Sequence, residues 1–359
     1  MSLLSRREWM AFSAATAAGT IAGNALGAAP SPIRLSLNEN AFGPSPRVAP
    51  AIARAATGIE RYVDQAEVDA LMRQIAALER VAPEQVVIGE VLEALGLYLA
   101  RARPGGGTIV YSAPGYTALV DAAAPLGGRG VAVPLNARLE NDLPALAAAV
   151  TSQTLAVSLV NPHNPSGTVN DADAFHRFVA RAAARTLVVV DEAYLEYDDL
   201  AARSAIRHVR SGANVLVFRT LAKIYGLAGM SIGYAVAPVA LARGLRAAGI
   251  GAPHSLSRPA LAAAAAALGD QEYVSRIRDF NRMGRERITA RLDALRLRHT
   301  DSRANFVFFE VLEPARPRAR FDAVGIEIAR VFEPLSSWIR VTVGTSAQMS
   351  TVLSTLGSM

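Results

Sequence analysis

Short, continuously apolar runs recur along the chain, and stretches with apolar residues at helical spacing separate them. The runs Val86–Ile88, Thr108–Ser112, Thr154–Val160, Thr186–Tyr194, Asn214–Thr220 and Ser231–Ala237 predict strands. Between them, helices are predicted over Asp64–Arg80, from beyond Ile88 through Ala100, after Gly115, and over Ala172–Ala184. A strand that is apolar at every position is buried on both faces. Alternation of such strands with helices therefore predicts a mostly parallel sheet with helices on both sides, an α/β architecture. The stretch Ser36–Pro46, SLNENAFGPSP, is too rich in Asn, Gly and Pro for either element and reads as a loop.

Pro253 and Pro259 mark a change of pattern. Beyond them come the alanine-rich run Ala260–Ala267, a long amphipathic helix, and two strands, Asn305–Val311 and Trp338–Gly344. This predicts a smaller α+β domain. The expected division is a leader over 1–29, an N-terminal arm over 30–60, a large domain over 61–252 and a small C-terminal domain over 253–359.

Composition narrows the classes. Hydrophobic residues make up 51% of the 359 and charged residues 19%, which is ample core material and excludes global disorder. The net charge of +6 is spread as scattered arginines. The densest basic stretch, from Ser275, interleaves acids and has apolar residues at helical spacing, so it reads as a solvated helix face. Few aromatics accompany it, which argues against a nucleic-acid groove. The absence of cysteine excludes disulfides, thiolate metal sites and cysteine nucleophiles. The five histidines show no metal-ligand spacing, and no G-x-S-x-G or Walker motif is present.

The first residues read as an address. Arg6-Arg7 precede a mildly apolar run, Met10–Ala28, which is too weak and too broken by glycine to span a membrane. Ala25-Leu26-Gly27 fits a small-x-small cleavage site. The pattern resembles a twin-arginine signal, which implies export after folding, to the periplasm in a two-membrane cell. The alternative is an ordinary N-terminal helix or tail on a cytoplasmic protein.

Lys223, in TLAKIYGLAG, is the only lysine; the other 36 of the 37 basic residues are arginine. Arginine is the better partner for carboxylate and phosphate, but only lysine can lose its proton near neutral pH and attack a carbonyl. Ligands of open α/β sheets gather at the carboxyl ends of strands. Asn164, Asp191 and Lys223 all fall at or just past predicted strand ends. A buried aspartate can keep a heteroaromatic nitrogen protonated. Tyr194 offers a phenol and Asn164 an amide to the same ring, and Tyr116 an aromatic face. These are the parts needed to hold pyridoxal 5'-phosphate.

With LNENAFGPSP, RYVDQAEVDAL, NPHNPSGT, VVVDEAYLEY, TLAKIYGLAGMSIGYA and WIRVTVGT in order along nearly the whole mature chain, the sequence resembles the fold-type I pyridoxal-phosphate aminotransferases, in their histidinol-phosphate aminotransferase-like branch. The resemblance implies a Schiff base at Lys223, which would also shuttle the substrate α-proton. It implies that Asp191 pairs with the pyridinium nitrogen, that Tyr194 and Asn164 bind the ring oxygen, and that Tyr116 stacks on the ring. Tyr62 would reach the cofactor phosphate of the other subunit of a homodimer. Arg340 would grip the substrate's acidic group, and Asn38 would border its entrance. Substrates would be a small amino donor and a keto or aldehyde acceptor.

The phosphate cup departs from the family. GEVLEALG places Val91 and Leu92 where small or hydroxyl residues are usual, Ala222 replaces a serine before the lysine, and Ser231 replaces an arginine. Each lost charge-assisted hydrogen bond costs roughly 1.5–3 kcal/mol. The expected compensation is from the amides of the helix that begins near Val91, from Tyr62 and Ser231, with Arg219 or Arg61 as further candidates. Transamination is the leading reading. The alternatives are decarboxylation, racemisation or elimination on the same cofactor, and a degenerate binder without turnover.

Overall fold

The computed structural model describes residues 32–103 and 105–357, so the leader-like segment 1–29 lies outside the described residues. In chain order the strands are β1 (Ile33–Leu35), β2 (Val86–Ile88), β3 (Thr108–Ala113), β4 (Arg129–Pro134), β5 (Thr154–Val160), β6 (Leu187–Asp191), β7 (Val215–Thr220), β8 (Gly233–Val236), β9 (Phe306–Glu310), β10 (Ile326–Ile328) and β11 (Trp338–Thr342). A seven-stranded sheet runs in the order β2-β8-β7-β6-β5-β3-β4. Only β8 opposes its neighbours; the other pairings are parallel.

The predicted apolar runs are the middle of this sheet. Every residue of β6 and β7 is buried, and their side chains alternate between two cores. Val188, Val190, Val215 and Val217 face one, and Leu187, Val189, Leu216 and Phe218 face the other. The period of two along a strand makes this division automatic. β4 was not predicted, because only Val133 of it is buried. It is an edge strand, and its pattern lacks the run that two covered faces impose. Glycine lets one helix pair close tightly. A Cβ on Gly96 would lie 2.2 Å from the Leu119 carbonyl oxygen, so helix Val91–Arg101 packs backbone to backbone on Ala118–Ala123.

The smaller unit pairs β9 with β11 antiparallel and β1 with β10 parallel. Its core includes Leu35, Leu292, Phe309, Phe321 and Ile339. Past Pro253 the chain stays on the larger unit for a while. Helix Arg258–Leu268 packs on helices Val48–Ala55 and Gln65–Glu79, and Tyr273, Ile277 and Phe280 join the larger core. The crossing falls inside the single helix Gln271–Ala294, whose later residues Ile288 and Leu292 enter the smaller core. The arm returns the connection, since β1 belongs to the smaller unit while Phe42 and Val48 belong to the larger core. Among the described residues no helix is long and apolar enough to cross a membrane.

Candidate active site

At the carboxyl ends of β5, β6 and β7 lies a cavity of about 640 Å³. Lys223, Asp191, Tyr194, Asn164, Tyr116, Asn38 and Arg340 all line it. A second cavity, of about 660 Å³, lies between helices Leu143–Ala149 and Ala172–Ala183 and contains none of these residues. Volume alone would not choose between the two; the chemistry of the walls does.

Asp191 ends β6, in register with Val160 of β5 and Phe218 of β7. Its backbone position at the strand end turns the carboxylate into the cleft, where Oδ1 accepts from the Ala193 amide at 3.0 Å. Burial pushes the carboxyl up to about 7. Glu90 and Glu192 push the same way, while the Ala193 hydrogen bond and Lys223 oppose. A buried acid in this state favours any cation brought against it.

Lys223 sits in the loop after β7. Its Nζ donates to the Leu37 carbonyl at 3.0 Å and lies 5.8 Å from the centroid of the Tyr194 ring. The loop is tightly tied. The Leu221 amide donates to Ile232 O at 3.0 Å, Leu227 N to Leu221 O at 3.0 Å, and Gly226 N to Lys223 O at 2.9 Å. Gly226 has φ +72, and a Cβ there would lie 2.6 Å from the Gly43 carbonyl carbon. Only glycine meets both demands, and so the arm can lie directly on the lysine loop.

The arm is then sewn to the other walls. Asn38, itself at φ 58, donates from Nδ2 to the Tyr194 hydroxyl at 3.0 Å. Its amide reaches Thr342 Oγ1 at 3.1 Å, and its carbonyl accepts from Asn305 at 2.9 Å. Asn38 is fully buried and links β11 to the tyrosine that faces the lysine. Arg340, on β11, donates from Nη2 to Ser36 O at 2.7 Å and from Nη1 to Asn164 Oδ1. Its buried Nε has no hydrogen-bond partner among the described residues. Burial pulls this guanidinium down to about 10. Its carbon stands 4.9 Å from the Phe332 ring centroid, and that of Arg330 stands 4.8 Å from the same ring. Tyr116 stands half-exposed at the rim, its phenol pushed up to about 12 by burial and then by Glu93, Asp191 and Glu90.

The sequence reading did not single out Glu90, Thr220, Glu327, Arg330 or Phe332, which also line the cleft. The three last come from the short strand β10 and the segment after it, where no periodic signal exists to read. The phosphate-end candidates fare differently from the ring-end ones. Val91 and Leu92 bury their side chains in the core beneath the sheet, leaving only the free amides of their helical turn for a ligand. Ser231, left-handed at φ 48, ends the turn Ala228–Met230 outside the residues that line the cleft. Arg219 cannot swing in. Its neighbours Phe218 and Thr220 line the cleft, so alternation points Arg219 to the opposite face. There it is held by Glu79 at 2.9 Å and Glu192 at 2.9 Å. Tyr62 is 86% exposed and, with Arg61, borders a depression beside Pro253–Pro259, away from the cleft of its own chain.

The ring end of the cleft fits a pyridoxal group. A primary amine, a buried acid short of cations, a phenol, an amide and an aromatic face surround one space. The phosphate end has Glu90 at the start of helix Val91–Arg101, and the two arginines among the residues lining the cleft, Arg330 and Arg340, stand against Phe332 instead.

The aminotransferase class I and II family model matches residues 30–356. The histidinol-phosphate aminotransferase of Moorella thermoacetica is 34% identical over 331 residues, covering 90% of this chain and 84% of that protein. The one from Rhodospirillum centenum is 35% identical over 334 residues, covering 90% and 91%. The crystal structure of histidinol-phosphate aminotransferase from Sinorhizobium meliloti in complex with pyridoxal-5'-phosphate superposes with a TM-score of 0.81 at 32% identity, covering 91% of each chain. The match spans both units and the residues that line the cleft: the chain belongs to the aminotransferase class I and II family and is a pyridoxal-phosphate-dependent transaminase.

Proposed function

We propose that this transaminase takes an amino donor that carries an anionic group, either an α-amino acid or an amino-alcohol phosphate. The observation that carries the reading is the substrate wall. Arg340, whose buried Nε has no hydrogen-bond partner among the described residues, and Arg330 both lie against Phe332 in the cleft that holds Lys223. Two guanidinium groups on one apolar platform suit a carboxylate or phosphate, which they bind in two-point fashion. Histidinol phosphate, named in the relatives above, is the first member of the series to try.

In this reading Lys223 holds the cofactor and afterwards moves a proton at the substrate α-carbon through Nζ. Bound there, pyridoxal phosphate supplies an electron sink for the carbanion left when that proton goes. Asp191 keeps the ring nitrogen protonated. Tyr194, positioned by Asn38, and Asn164, positioned by Arg340, hold the ring oxygen. Tyr116 covers one face and keeps water from it. Tyr62, exposed on its own chain, serves the cleft of a second copy, so the working form is a homodimer. Sedimentation of a monomer that transaminates at full rate would remove this part.

Single-turnover reactions with a donor series test the substrate reading. Arg340→Lys is expected to raise KM for anionic donors about tenfold to a hundredfold, since one charge-assisted contact is worth roughly 1.5–3 kcal/mol. A neutral amine should lose only the smaller share that comes from releasing Asn164. Equal losses for both kinds of donor would remove the arginine wall from the proposal.

The leader-like segment supports export of the folded enzyme through a twin-arginine route to the periplasm, and the lack of cysteine suits an oxidising compartment. Replacing Arg6 and Arg7 together by lysine should hold the full chain in the cytoplasm at unreduced activity. Unchanged export of the pair variant in cell fractions would refute it.

A further inference from the structure

An acidic side chain occupies the phosphate end of this cleft. Glu90 directly precedes helix Val91–Arg101, whose first-turn amides are the main-chain donors available there. Its side chain lines the cavity, and Oε1 accepts from the Thr220 hydroxyl at 3.2 Å. Thr220 Oγ1 in turn accepts from the Ala222 amide at 3.1 Å, so the carboxyl is tied to the loop that presents Lys223.

The groups that face Glu90 are mostly acidic. Glu93 stands on the same helix, Asp191 at the end of β6, and Tyr116 in the loop after β3; Thr220 and Lys223 come from β7 and its loop. Among the described residues, Lys223 is the one cation of this group. Arg219 is committed to Glu79 and Glu192 on the far face, and Ser231 lies outside the cleft. A dianionic phosphate placed beside an ionised Glu90 would meet a like charge, and the two arginines of the cleft, Arg330 and Arg340, are held against Phe332 rather than beside Glu90. A neutral carboxyl reverses the interaction. Its O–H can donate to a phosphate oxygen while its other oxygen keeps the Thr220 hydrogen bond. Burial first, and then Glu93, already push the Glu90 carboxyl up, against Thr220 and Lys223.

Resting on the assignment of Lys223 as the cofactor lysine, we propose that Glu90 decides which form of the cofactor the cleft retains. It admits the phosphorylated aldehyde only when its own carboxyl carries a proton, which it donates to the phosphate. Binding of pyridoxal phosphate is then linked to proton uptake, whereas binding of pyridoxal, which has no phosphate, is not. In place of a permanently charged cup this enzyme has one that weakens as pH rises.

The test uses the enzyme stripped of cofactor and titrated with pyridoxal phosphate and, separately, with pyridoxal, read by the visible absorption of the Schiff base. Comparing the two aldehydes cancels the pH dependence of the amine itself. In the wild type, the preference for the phosphorylated form should fall at least about tenfold between about pH 6 and pH 8.5; one linked proton allows up to about tenfold per pH unit. Glu90→Gln, which keeps the shape and cannot ionise, should flatten that dependence and bind the phosphorylated form at least about tenfold more tightly than the wild type at the alkaline end. Glu93→Gln should keep the wild-type slope. The second ionisation of phosphate, near pH 6, acts equally on all three proteins, so their difference isolates the carboxyl. Schiff bases with both aldehydes at a pH-independent ratio, or the same slope in Glu90→Gln, would overturn the role of Glu90 and leave Lys223 standing. Failure of either aldehyde to react in the wild type would overturn both.

Discussion

Lys223→Ala is expected to lose the visible Schiff-base absorption completely and to lower transamination by about 10⁴-fold or more, the scale at which removal of a nucleophile and its proton-transfer role registers. The chain makes this test unusually clean. With one lysine in 359 residues, no other ε-amine can condense with the aldehyde. Borohydride reduction of the wild type should label one peptide, the one that holds Lys223, and should label none of the interior of the variant. Lys223→Arg separates charge from nucleophilicity. Arginine restores a cation opposite Asp191 but does not deprotonate at accessible pH, so it should be as inactive as alanine. A visible Schiff base or appreciable turnover in either variant would end the assignment.

Asp191→Asn should make the enzyme slower and the cofactor-free protein more stable. The rate should fall about 10²–10³-fold, since a preorganised group facing developing charge is worth that much. Stability follows from linkage. Unfolded, this carboxyl titrates near 3.9. Folded, burial holds it up at about 7. Between these values the native state binds the extra proton, so stability falls as pH rises through the window and stays reduced above it. About three pH units correspond to roughly 4 kcal/mol at most. Asparagine removes the ionisation and retains an oxygen for the Ala193 amide. Calorimetry of the two cofactor-free proteins should therefore show the variant gaining on the wild type as pH rises from about 4 to about 7, by a few kcal/mol. Pyridoxal phosphate should recover part of that difference for the wild type alone, because its ring cation neutralises the buried charge. Glu196, also held up at about 7, is present in both proteins and cancels from the difference. Parallel stability curves for the two proteins would show that Asp191 is not buried as an acid.

Both tests rest on residues that were legible in the chain, and the reason is local. β5 and β6 lie in the middle of a sheet covered on both faces, so they are mostly apolar, and the acid that ends β6, Asp191, stands out. Lys223 was visible as the one lysine of the chain. So was the α/β class, which depends on periodicity along single elements. β4 was not visible, because an edge strand with one buried residue has no such signature. β1 and β10 were not: unlike the equally short but wholly apolar β2, each carries a charged middle residue, and each has only the other as its partner. Arg330 and Glu327 therefore entered the site unannounced.

By itself, then, the order of residues determined the layered architecture and picked out an amine, an acid, a phenol and an amide that line one cleft. Only the tertiary structure decided which charges reach the ligand. It turned Arg219 away into a pair of buried glutamates, left Ser231 outside, brought Leu37 within 3.0 Å of Lys223 across 186 residues of chain, and put Glu90 in the wall of the same cleft. Burial is written into each element by its own spacing, whereas a polar group's partner is chosen by what another element places opposite it, and no local pattern records that choice.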